Sequence, residues 1–471
     1  MIKSLRSFIN DIFINFRNDF LISDPIVNPK YEISAYIEKL ELAGKFPVLY
    51  FPHIKGSNMP VITNLITTEK RALFSIGLSE NVLIDSIMEK FNKRIKPVYV
   101  SDPPVMEKTV SDEPLKFIPK IYHNELDGGP YISSGLIIFR SLEDKLNMGI
   151  YRIQIIDNER VAIMTNPHSD ANHIIDEYRD VGKSIPVTIS IGHHPAIYMA
   201  AVTRPGGIGG ELEMAGGLID EPVRLSESKT CDAPFLADSE LSIEGVIEDP
   251  SYLIDEGPFG EWPGYYSGKQ KTPVIHVKSL NMRHNPVYYD IGAARREHLI
   301  IGLYPHLVTV YQRVKNDIQD LVDLYLPFSG SHRAICYMSI KKHNEGQPIR
   351  AGLIAVTSYP SIKIAVVVDD DIDVKNEQQV LWAVYTRTTK KEQFVIIPDV
   401  EAHHLNPSTY NENGNTPGNM EVKLVIDATK PLKGFPSRAT VPKTSLVASN
   451  LANLHNINEV ELHDLLKNLE F

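Results

Sequence analysis

Residues 131–166, YISSGLIIFRSLEDKLNMGIYRIQIIDNERVAIMTN, decide the fold of the middle of this chain. They contain three short apolar runs, at 131–140, 148–156 and 160–166, which are separated by turn-forming residues. Runs of this length and spacing are typical of β-strands in a barrel or a sandwich. Similar runs continue to about residue 300, so we predict a mostly β domain over residues 116–300.

The segments on either side of this β region alternate between helical and strand patterns. YEISAYIEKLELAG (31–44) has apolar residues at helical spacing and KFPVLYFPHI (45–54) is a short apolar strand, whereas the proline-rich residues 100–119 suit a connector. After residue 300, a helical stretch at 306–327 precedes a strand at 363–371, a helix at 374–389 and a strand at 394–398. We therefore predict an α/β multidomain protein with an N-terminal α/β domain (1–115), the central β domain, and a C-terminal α/β domain (301–471).

The two ends of the chain show helical patterns of their own. The first 16 residues predict an amphipathic helix and not an export signal, because Asp11 interrupts the apolar residues. The tail after residue 445 has leucines at three- and four-residue spacing, which predicts a terminal helix. Two interpretations stay open for this tail: oligomerisation with a partner subunit, or docking on its own chain.

Composition narrows the functional classes. The chain has 471 residues, 43% hydrophobic and 23% charged, which is ordinary for a globular protein. Its net charge of -11 and the lack of a basic stripe argue against nucleic acid as a partner. Cys231 and Cys336 are far apart, with no CxxC pair, so we expect no disulfide framework and a reducing, cytoplasmic compartment. The sequence has no run of 18 apolar residues, so it predicts no membrane-spanning helix.

The stretch EGPFGEWPG (256–264) places two carboxylates in a turn-prone frame. Glu256 and Glu261 are five residues apart. On a helix or on a strand, this spacing would place the two side chains on different faces. The glycines and prolines between and after them indicate a preorganised loop. The simplest interpretation is two solvated loop acids. The alternative is a pair of acids aimed into one site.

Three other side chains suggest a metal site. Asn147 begins the motif NMGIYR, His168 follows in NPHSDANH, and Glu211 begins ELEMAG. Individually these residues have ordinary structural explanations, such as a structural histidine or a loop acid. Together their oxygen and nitrogen ligands would suit Mn²⁺ or Mg²⁺, with phosphate oxygens and water completing the coordination.

Five motifs in order resemble those of the UbiD-type decarboxylases that use prenylated flavin mononucleotide. They are NMGIYR (147–152), a histidine 21 residues after Asn147, E-x-x-x-A-G (211–216), EGPFGEWPGYYS (256–267) and VVVDDDIDV (366–374). The resemblance extends over most of the chain from about residue 30. It implies that the central domain is a flavin-binding split β-barrel.

The resemblance also implies ligands for the cofactor and the metal. Asn147, His168 and Glu211 would hold Mn²⁺ next to the cofactor phosphate, with K⁺ nearby. Lys363 either contacts the phosphate or is a solvated lysine at a strand start. Asp369 to Asp371 would form a structural turn and not a metal site. The remaining positions expected to contact the flavin are Ile150, Tyr151, Arg152, Met164, Thr165, Asn166, Ser169 and Asp170.

By the same resemblance, Arg152, Glu256 and Glu261 match the family's catalytic set. Decarboxylation requires a held carboxylate, an electron sink and a returned proton, and only a cofactor can be the electron sink. Arg152 has a charged fork for the carboxylate, Glu261 would protonate the carbon left by CO₂, and Glu256 would support the network. A separate flavin prenyltransferase would supply the cofactor, and relatives suggest a homodimer or a hexamer.

The segment YDIGAARREHLIIG (289–302) departs from the family pattern because it lacks the paired prolines that many relatives have there. Its Arg295, Arg296, Glu297 and His298 include extra donors, so we place His298 in the substrate pocket and extend the expected substrates from aromatic and α,β-unsaturated acids to heteroaromatic ones. An ion pair between Glu297 and either arginine is the alternative. The functional alternatives are a hydrolase that uses Glu256 and Glu261, and a non-catalytic flavin-binding assembly protein.

Overall fold

The computed structural model describes residues 2–80, 82–166, 169–203, 208–410, 420–450, 453–454, 456 and 458–468. The chain divides into a large compact unit, Met1–Thr429, and a short unit, Lys430–Phe471. In its described residues, the large unit contains helices together with one antiparallel sheet and three mixed sheets, so the predicted α/β multidomain fold class is confirmed.

The first hundred residues contribute three of the four strands of a small mixed sheet, together with helices. The helix predicted over 31–44 forms at 32–42, because Ile33 and Ile37 bury one face and Gly44 follows in the left-handed conformation. The elements are α1 (Leu5–Asn15), β1 (Phe20–Ile22), α2 (Glu32–Leu42), β2 (Val48–Phe51), β3 (Val61–Thr63), α3 (Glu69–Ser75), α4 (Ile84–Asn92) and β4 (Val98–Tyr99).

The central region forms a ten-stranded sheet in which all the paired strands are antiparallel. The elements of this region include β12, β13 and β17, which belong to other sheets. In chain order they are β5 (Lys108–Val110), β6 (Tyr131–Ile132), β7 (Leu136–Arg140), β8 (Leu146–Ile150), β9 (Ile153–Ile155), β10 (Arg160–Ile163), α5 (Asp170–Asp180), β11 (Ile185–Ile191), α6 (Pro195–Ala201), α7 (Glu211–Ile219), β12 (Arg224–Glu227), β13 (Pro234–Leu236), β14 (Leu241–Ile247), β15 (Leu253–Glu256), β16 (Gln270–Met282) and β17 (Tyr288–Tyr289).

The strand order of this sheet is β6-β9-β10-β16-β14-β11-β7-β8, and β5 and β15 also pair with β16. The long strand β16 therefore joins segments that are far apart in sequence. The predicted connector at 100–119 is more than a connector, because it contributes β5. Residues 211–217 of a glycine-rich stretch belong to the helix α7, and the glycines obscure its helical pattern.

The C-terminal part of the large unit is a five-stranded sheet of order β18-β19-β20-β22-β21. The helix predicted around 306–327 ends at Asp317, and residues 321–325 form a strand instead. The apolar residues of both elements run together in the sequence, so periodicity alone merged them. The elements are α8 (Arg296–Asp317), β18 (Leu321–Tyr325), β19 (Ile335–Ile340), α9 (Gln347–Ser358), β20 (Ile364–Asp369), α10 (Glu377–Arg387), β21 (Phe394–Glu401) and β22 (Met420–Ala428).

In its described residues, the short unit contains the helices α11 (Lys443–Ala448) and α12 (Glu459–Asn468). A helix thus forms within the tail where one is predicted, whereas its role in oligomerisation stays a prediction. The division into domains at residues 115 and 300 also stays a prediction. Among the described residues, no helix is long and apolar enough to cross a membrane.

Candidate active site

A cavity of about 310 Å³ lies in the large unit and gathers most of the predicted site residues. Its lining comes from the central sheet, from α7 and α8, and from loops as far along the chain as Leu405. The predicted residues that line it are Asn147, Ile150, Tyr151, Arg152, Met164, Asn166, Ser169, Asp170, Glu211, Glu261 and His298.

Arg152 lies where β8 turns into β9, and it is only 7% exposed. Strand β8 pairs with β7 in a register that sets Asn147 opposite Phe139. Gly149 is needed here, since a Cβ at this position would lie 2.6 Å from the ring of Tyr151. The motif NMGIYR therefore combines a paired strand with a close packing contact that holds Arg152 beside the cavity.

Glu256 and Glu261 reach the same arginine from different backbone environments. Glu256 is the last residue of β15 and is fully buried, opposite Gln270 of β16. The next residue, Gly257, has a φ of 91°, which favours glycine. Glu261 follows in a turn that is closed by backbone bonds from its own N–H to Tyr265 and from the N–H of Gly264 back to its carbonyl, both 2.9 Å.

The guanidinium of Arg152 binds both carboxylates. Its Nε and Nη2 donate to the two oxygens of Glu256 at 3.0 and 2.7 Å, and Nη1 donates to Glu261 at 2.7 Å and to Ser267 at 2.8 Å. Burial lowers the pKa of Arg152, but the charges of Glu261 and Glu256 outweigh it and raise that pKa above its ordinary value. The interpretation of Glu256 and Glu261 as solvated loop acids is therefore wrong, because both belong to one buried ionic network.

This geometry changes one detail of the sequence-based mechanism. An arginine has five N–H donors, and the bonds above use one from Nε, two from Nη1 and one from Nη2. The sequence analysis expects the paired N–H groups of Arg152 to bind a substrate carboxylate. In the structure, the N–H groups of Nε and Nη2 bind Glu256 instead. A single N–H of Arg152 is left for a ligand.

Asn147 and Glu211 form a second polar pair in the cavity wall. Gly210 has a φ of 99° and the next residue, Glu211, starts α7, so its carboxylate is carried by a helix and not by a loop. Asn147 Nδ2 donates to Glu211 Oε1 at 3.3 Å. Both side chains are buried, at 4% and 2% exposure, and burial raises the pKa of Glu211 to about 7.

The orphaned atoms of this pair fit a divalent metal. Asn147 Oδ1 and Glu211 Oε2 are buried and lack hydrogen-bond partners, which is costly for polar atoms. Hard oxygen atoms are the ligands that Mn²⁺ and Mg²⁺ prefer, and these two would supply part of an octahedral set. The third predicted ligand, His168, lies outside the described residues. Within the described part of the chain, no cluster of three or more His, Cys, Asp or Glu side chains suits a metal.

The expected flavin-contact residues fall on both sides of the gap at 167–168. Ser169 caps α5 by accepting from the Asn172 N–H at 3.2 Å and donates to the Asn166 carbonyl at 2.7 Å. Thr165 donates to Asn172 at 3.1 Å and does not line the cavity. Lys363 is also absent from the cavity lining, and its ammonium binds the Ser408 hydroxyl at 2.9 Å.

The segment 295–298 is divided between structural and cavity-lining roles. Arg295 pairs with Glu38 at 2.8 Å, and Arg296 packs over Phe46, so neither arginine binds Glu297. Glu297 instead accepts from Asn64 and Ile66 N–H groups and from the Tyr289 hydroxyl. The alternative of an ion pair within this segment is therefore wrong.

His298 lines the cavity, and its contact with the substrate stays a prediction. Its Nδ1 accepts the Ala294 N–H at 3.3 Å, which leaves the proton of the neutral ring on Nε2. Burial, followed by the charges of Arg333 and His123, lowers the pKa of His298 to about 3. The side chain is thus a neutral hydrogen-bond donor at ordinary pH.

Several lining residues are missed by the sequence analysis, among them Ser133, His306, Arg333, Tyr359, His403 and His404. They lie outside the five motifs, and each resembles an ordinary polar residue near an apolar element. The strand-end aspartates are explained correctly, because Arg387 binds Asp369 at 2.5 Å and Asp371 at 2.9 Å as a structural cluster.

The comparisons with known proteins agree over most of the large unit. Three family descriptions match: the N-terminal, Rift-related and C-terminal domains of 3-octaprenyl-4-hydroxybenzoate carboxy-lyase (UbiD), at residues 17–91, 96–295 and 299–428. A phenolic acid decarboxylase of Bacillus subtilis (strain 168) is 31% identical over 439 residues, which cover 86% of this chain and 88% of the relative.

Two solved structures of a UbiD-class enzyme share the fold. HmfF from Pelotomaculum thermopropionicum in complex with FMN has a TM-score of 0.87 and 29% identity, covering 96% of this chain and 99% of that one. An evolved dimeric form of the same enzyme, in complex with prFMN, has a TM-score of 0.85 and 27% identity, covering 96% and 100%.

Proposed function

This chain belongs to the UbiD family of carboxy-lyases, and from this premise we propose that it is a prenylated-FMN-dependent, reversible decarboxylase. Its substrate class is an aromatic, heteroaromatic or α,β-unsaturated carboxylic acid. The observation that carries the proposal is the Arg152 network, in which Glu256 and Glu261 share one guanidinium beside a cavity.

The cavity has the features that the cofactor and its metal require. Asn147 and Glu211 would hold Mn²⁺ through their orphaned oxygen atoms, and the metal would in turn bind the cofactor phosphate. Ile150, Tyr151 and Met164 line the same cavity and would contact the flavin. When bound, the prenylated flavin supplies the electron sink that no side chain can supply.

Glu261 has the geometry of the proton donor. Loss of CO₂ breaks a carbon–carbon bond and leaves its electron pair on the substrate carbon, which must then receive a proton. Glu261 lines the cavity, whereas Glu256 is fully buried behind Arg152. Protonated Glu261 would deliver its proton to that carbon and regain one from solvent.

Arg152 and Glu256 act together in this proposal. Glu256 occupies the fork of Arg152 and fixes the plane of the guanidinium, so that Nη1 holds Glu261 in place. The remaining N–H of Arg152 would contact the carboxylate before CO₂ leaves. In the reverse direction the same groups would hold CO₂ next to the carbon from which Glu261 has taken the proton.

Two partners follow from the family. By analogy with the family, a flavin prenyltransferase would supply the modified cofactor. The chain would assemble as a homodimer or a hexamer, with the helical tail as the candidate contact. These assignments rest on family membership and on the leucine spacing of the tail.

The test is to co-express the chain with a flavin prenyltransferase and to record the absorbance and mass spectra of the purified protein. The release of CO₂ from aromatic, heteroaromatic and unsaturated acids is then measured. Bound prenylated flavin and turnover of one class of acid would support the proposal. Protein that binds no flavin and is unaffected by removal of Mn²⁺ would refute both the cofactor and the metal assignments.

A further inference from the structure

The two carboxylates that bind Arg152 differ in the hydrogen bonds that they accept. Glu256 accepts from Nε and Nη2 of Arg152, at 3.0 and 2.7 Å, and also from the hydroxyl of Tyr131 at 2.9 Å. Among the described residues, the side chain of Glu261 accepts only from Nη1 of Arg152, at 2.7 Å. Hydrogen bonds that are donated to a carboxylate favour its charged form. The bond from Tyr131 therefore favours charge on Glu256 and not on Glu261.

The position of the proton matters because burial alone would place it on the wrong acid. The side chain of Glu256 is fully buried, whereas that of Glu261 is 13% exposed. Burial disfavours the charged form of an acid, so it would place a shared proton on Glu256. Glu256 lies behind Arg152 and does not line the cavity, so a proton held there would not reach a substrate. The hydrogen bonds to Glu256 oppose this effect of burial.

The hydroxyl of Tyr131 is held as a donor to Glu256. Tyr131 is fully buried on β6, where it lies opposite Gln154 of β9. The hydroxyl is 2.9 Å from Glu256 and 3.5 Å from the Pro258 carbonyl, so the carboxylate is the closer acceptor. Burial, followed by the charge of Glu256, raises the pKa of Tyr131 above its ordinary value. The hydroxyl therefore keeps its proton at ordinary pH.

The chain just before β6 also holds the loop that carries the two acids. The ring of Tyr131 packs on that of Phe259, with 4.5 Å between the centroids. Asp127 accepts a hydrogen bond from the N–H of Gly260 at 3.0 Å. These contacts fix the loop 256–261 relative to β6, so the distance from the Tyr131 hydroxyl to the first acid is set by packing on both sides.

We propose that Tyr131 is a positioning residue for decarboxylation: its hydroxyl keeps Glu256 as the charged acid of the pair, so that the shared proton resides on Glu261 next to the cavity. This inference rests on the proposed decarboxylase function. The contending explanation is that the hydroxyl only stabilises the fold. In that case its removal would slow the reaction by the same factor at every pH.

The test is the pH dependence of product formation by Tyr131→Phe, measured in single turnovers of the cofactor-loaded enzyme. This variant keeps the ring but destabilises every state in which Glu256 is charged. The proton therefore moves from Glu261 to Glu256, and the pair retains it to higher pH. We expect the plateau of the rate to fall about tenfold and its alkaline limb to move up by about one pH unit, because both changes report the same lost hydrogen bond to a charged group.

The profiles of wild type and Tyr131→Phe should merge above the alkaline limb. The active state there has its proton on Glu261, and it is in equilibrium with the state in which both acids are charged. Glu256 is charged in both states, so loss of the Tyr131 hydroxyl leaves their ratio unchanged. An equal loss of rate at all pH values, or a profile identical to that of wild type, would overturn the inference.

Tyr289→Phe is the matched control for Tyr131→Phe. Tyr289 also donates to a buried glutamate at 2.9 Å, but its partner is Glu297 and neither residue lines the cavity. This control should leave the shape of the profile as in wild type. Both variants retain the other titratable or charged groups around the loop 256–262, which are His123, Asp127, Arg152, Arg333, His403 and Tyr410.

The carboxyl ¹³C resonances of glutamate locate the proton without turnover. They are recorded on the full chain as purified, and Glu256→Gln and Glu261→Gln each remove one resonance and so assign it. On acidification, we expect the Glu261 resonance to change first in wild type and the Glu256 resonance to change first in Tyr131→Phe. The same order in both proteins, or Glu256 first in wild type, would overturn the inference.

These spectra also separate failure of this inference from failure of the proposed function. If acids are decarboxylated but the order of the two resonances does not depend on Tyr131, only the role of Tyr131 falls. If no flavin is retained and no acid is decarboxylated, the proposed function falls. A reversed order in Tyr131→Phe would then still support the placement of the proton by this hydroxyl.

Discussion

At the scale of single residues, the site depends on how one guanidinium is shared. Arg152 binds Glu256 with two parallel hydrogen bonds and Glu261 with one, all of them largely shielded from water. Removing one partner of a buried ion pair leaves the charge of the other partner uncompensated. Each member of the network therefore affects both the geometry of the site and its charge.

Glu261→Gln tests the proposed proton donor. The amide keeps the size of the side chain and still has an oxygen to accept from Arg152, but it cannot release a proton. We expect decarboxylation to slow by about 10²–10⁴-fold with flavin binding retained. CO₂ release and the flavin spectrum are the measurements.

Asp255→Asn is the matched control for Glu261→Gln, because Asp255 lies on β15 beside Glu256 but is exposed and paired with Lys271. It should retain wild-type activity. Wild-type turnover in Glu261→Gln would rule out Glu261 as the donor.

Glu211→Gln tests the metal site. Replacing a charged hard ligand by a neutral amide should weaken Mn²⁺ binding by about 10²-fold or more. Titration of the metal-free protein with Mn²⁺, followed by the electron paramagnetic resonance of free Mn²⁺, gives the affinity. Glu213→Gln, on the same helix, is the control, and an unchanged affinity in Glu211→Gln would contradict the assignment.

His298 gives a prediction about pH. Because its pKa is lowered to about 3, chiefly by burial, the ring is neutral above that pH and becomes charged only below it. His298 should therefore contribute no change to the pH–rate profile between pH 5 and 8. His298→Asn should alter KM and leave the shape of the profile as it is; a limb of the profile that vanishes in this variant would refute the prediction.

At the scale of elements, helix α7 is held close to the segment that follows α4. A Cβ at Gly217 would lie 2.1 Å from the Lys93 carbonyl oxygen, and one at Gly216 would lie 2.6 Å from that of Ile95. The glycines of this segment are thus contact positions on the helix that begins with Glu211. Their packing therefore determines the position of the Glu211 carboxylate relative to Asn147.

Gly217→Ala measures the importance of this contact. Alanine favours a helix by about 1 kcal/mol, but the clash with backbone should outweigh it and lower the free energy of unfolding by about 2–3 kcal/mol. Urea denaturation gives this value. Gly346→Ala is the control, since its Cβ would meet only Asn344 Oδ1, at 3.7 Å. Equal stability of the two variants would mean that α7 can shift freely.

At the scale of the whole large unit, the cavity is built from segments that span residues 133–405. A ligand that binds there stabilises the folded state over the unfolded state. At a free cofactor concentration of about 100 times its Kd, the expected gain is about 2.7 kcal/mol. Calorimetry of the full chain should show a Tm that rises with the concentration of prenylated FMN, and a Tm independent of the cofactor would contradict the cavity as its site.

The sequence by itself determined the β-rich centre, the α/β flanks and the order of the family motifs. These features are local, because apolar periodicity and turn residues act over a few neighbouring positions. The same locality explains the error at 306–327. Apolar periodicity merges strand β18 with the preceding helix, because the boundary between them depends on packing against distant segments.

Only the tertiary structure decided which side chains meet. Arg152 lies 104 residues from Glu256 along the chain, and Asn147 lies 64 residues from Glu211, yet each pair is hydrogen-bonded. No local pattern distinguishes Arg333, whose guanidinium faces a cavity, from Arg295, which pairs with Glu38. Distance through space and desolvation are set by packing, and they decide whether a charged side chain is structural or faces a ligand.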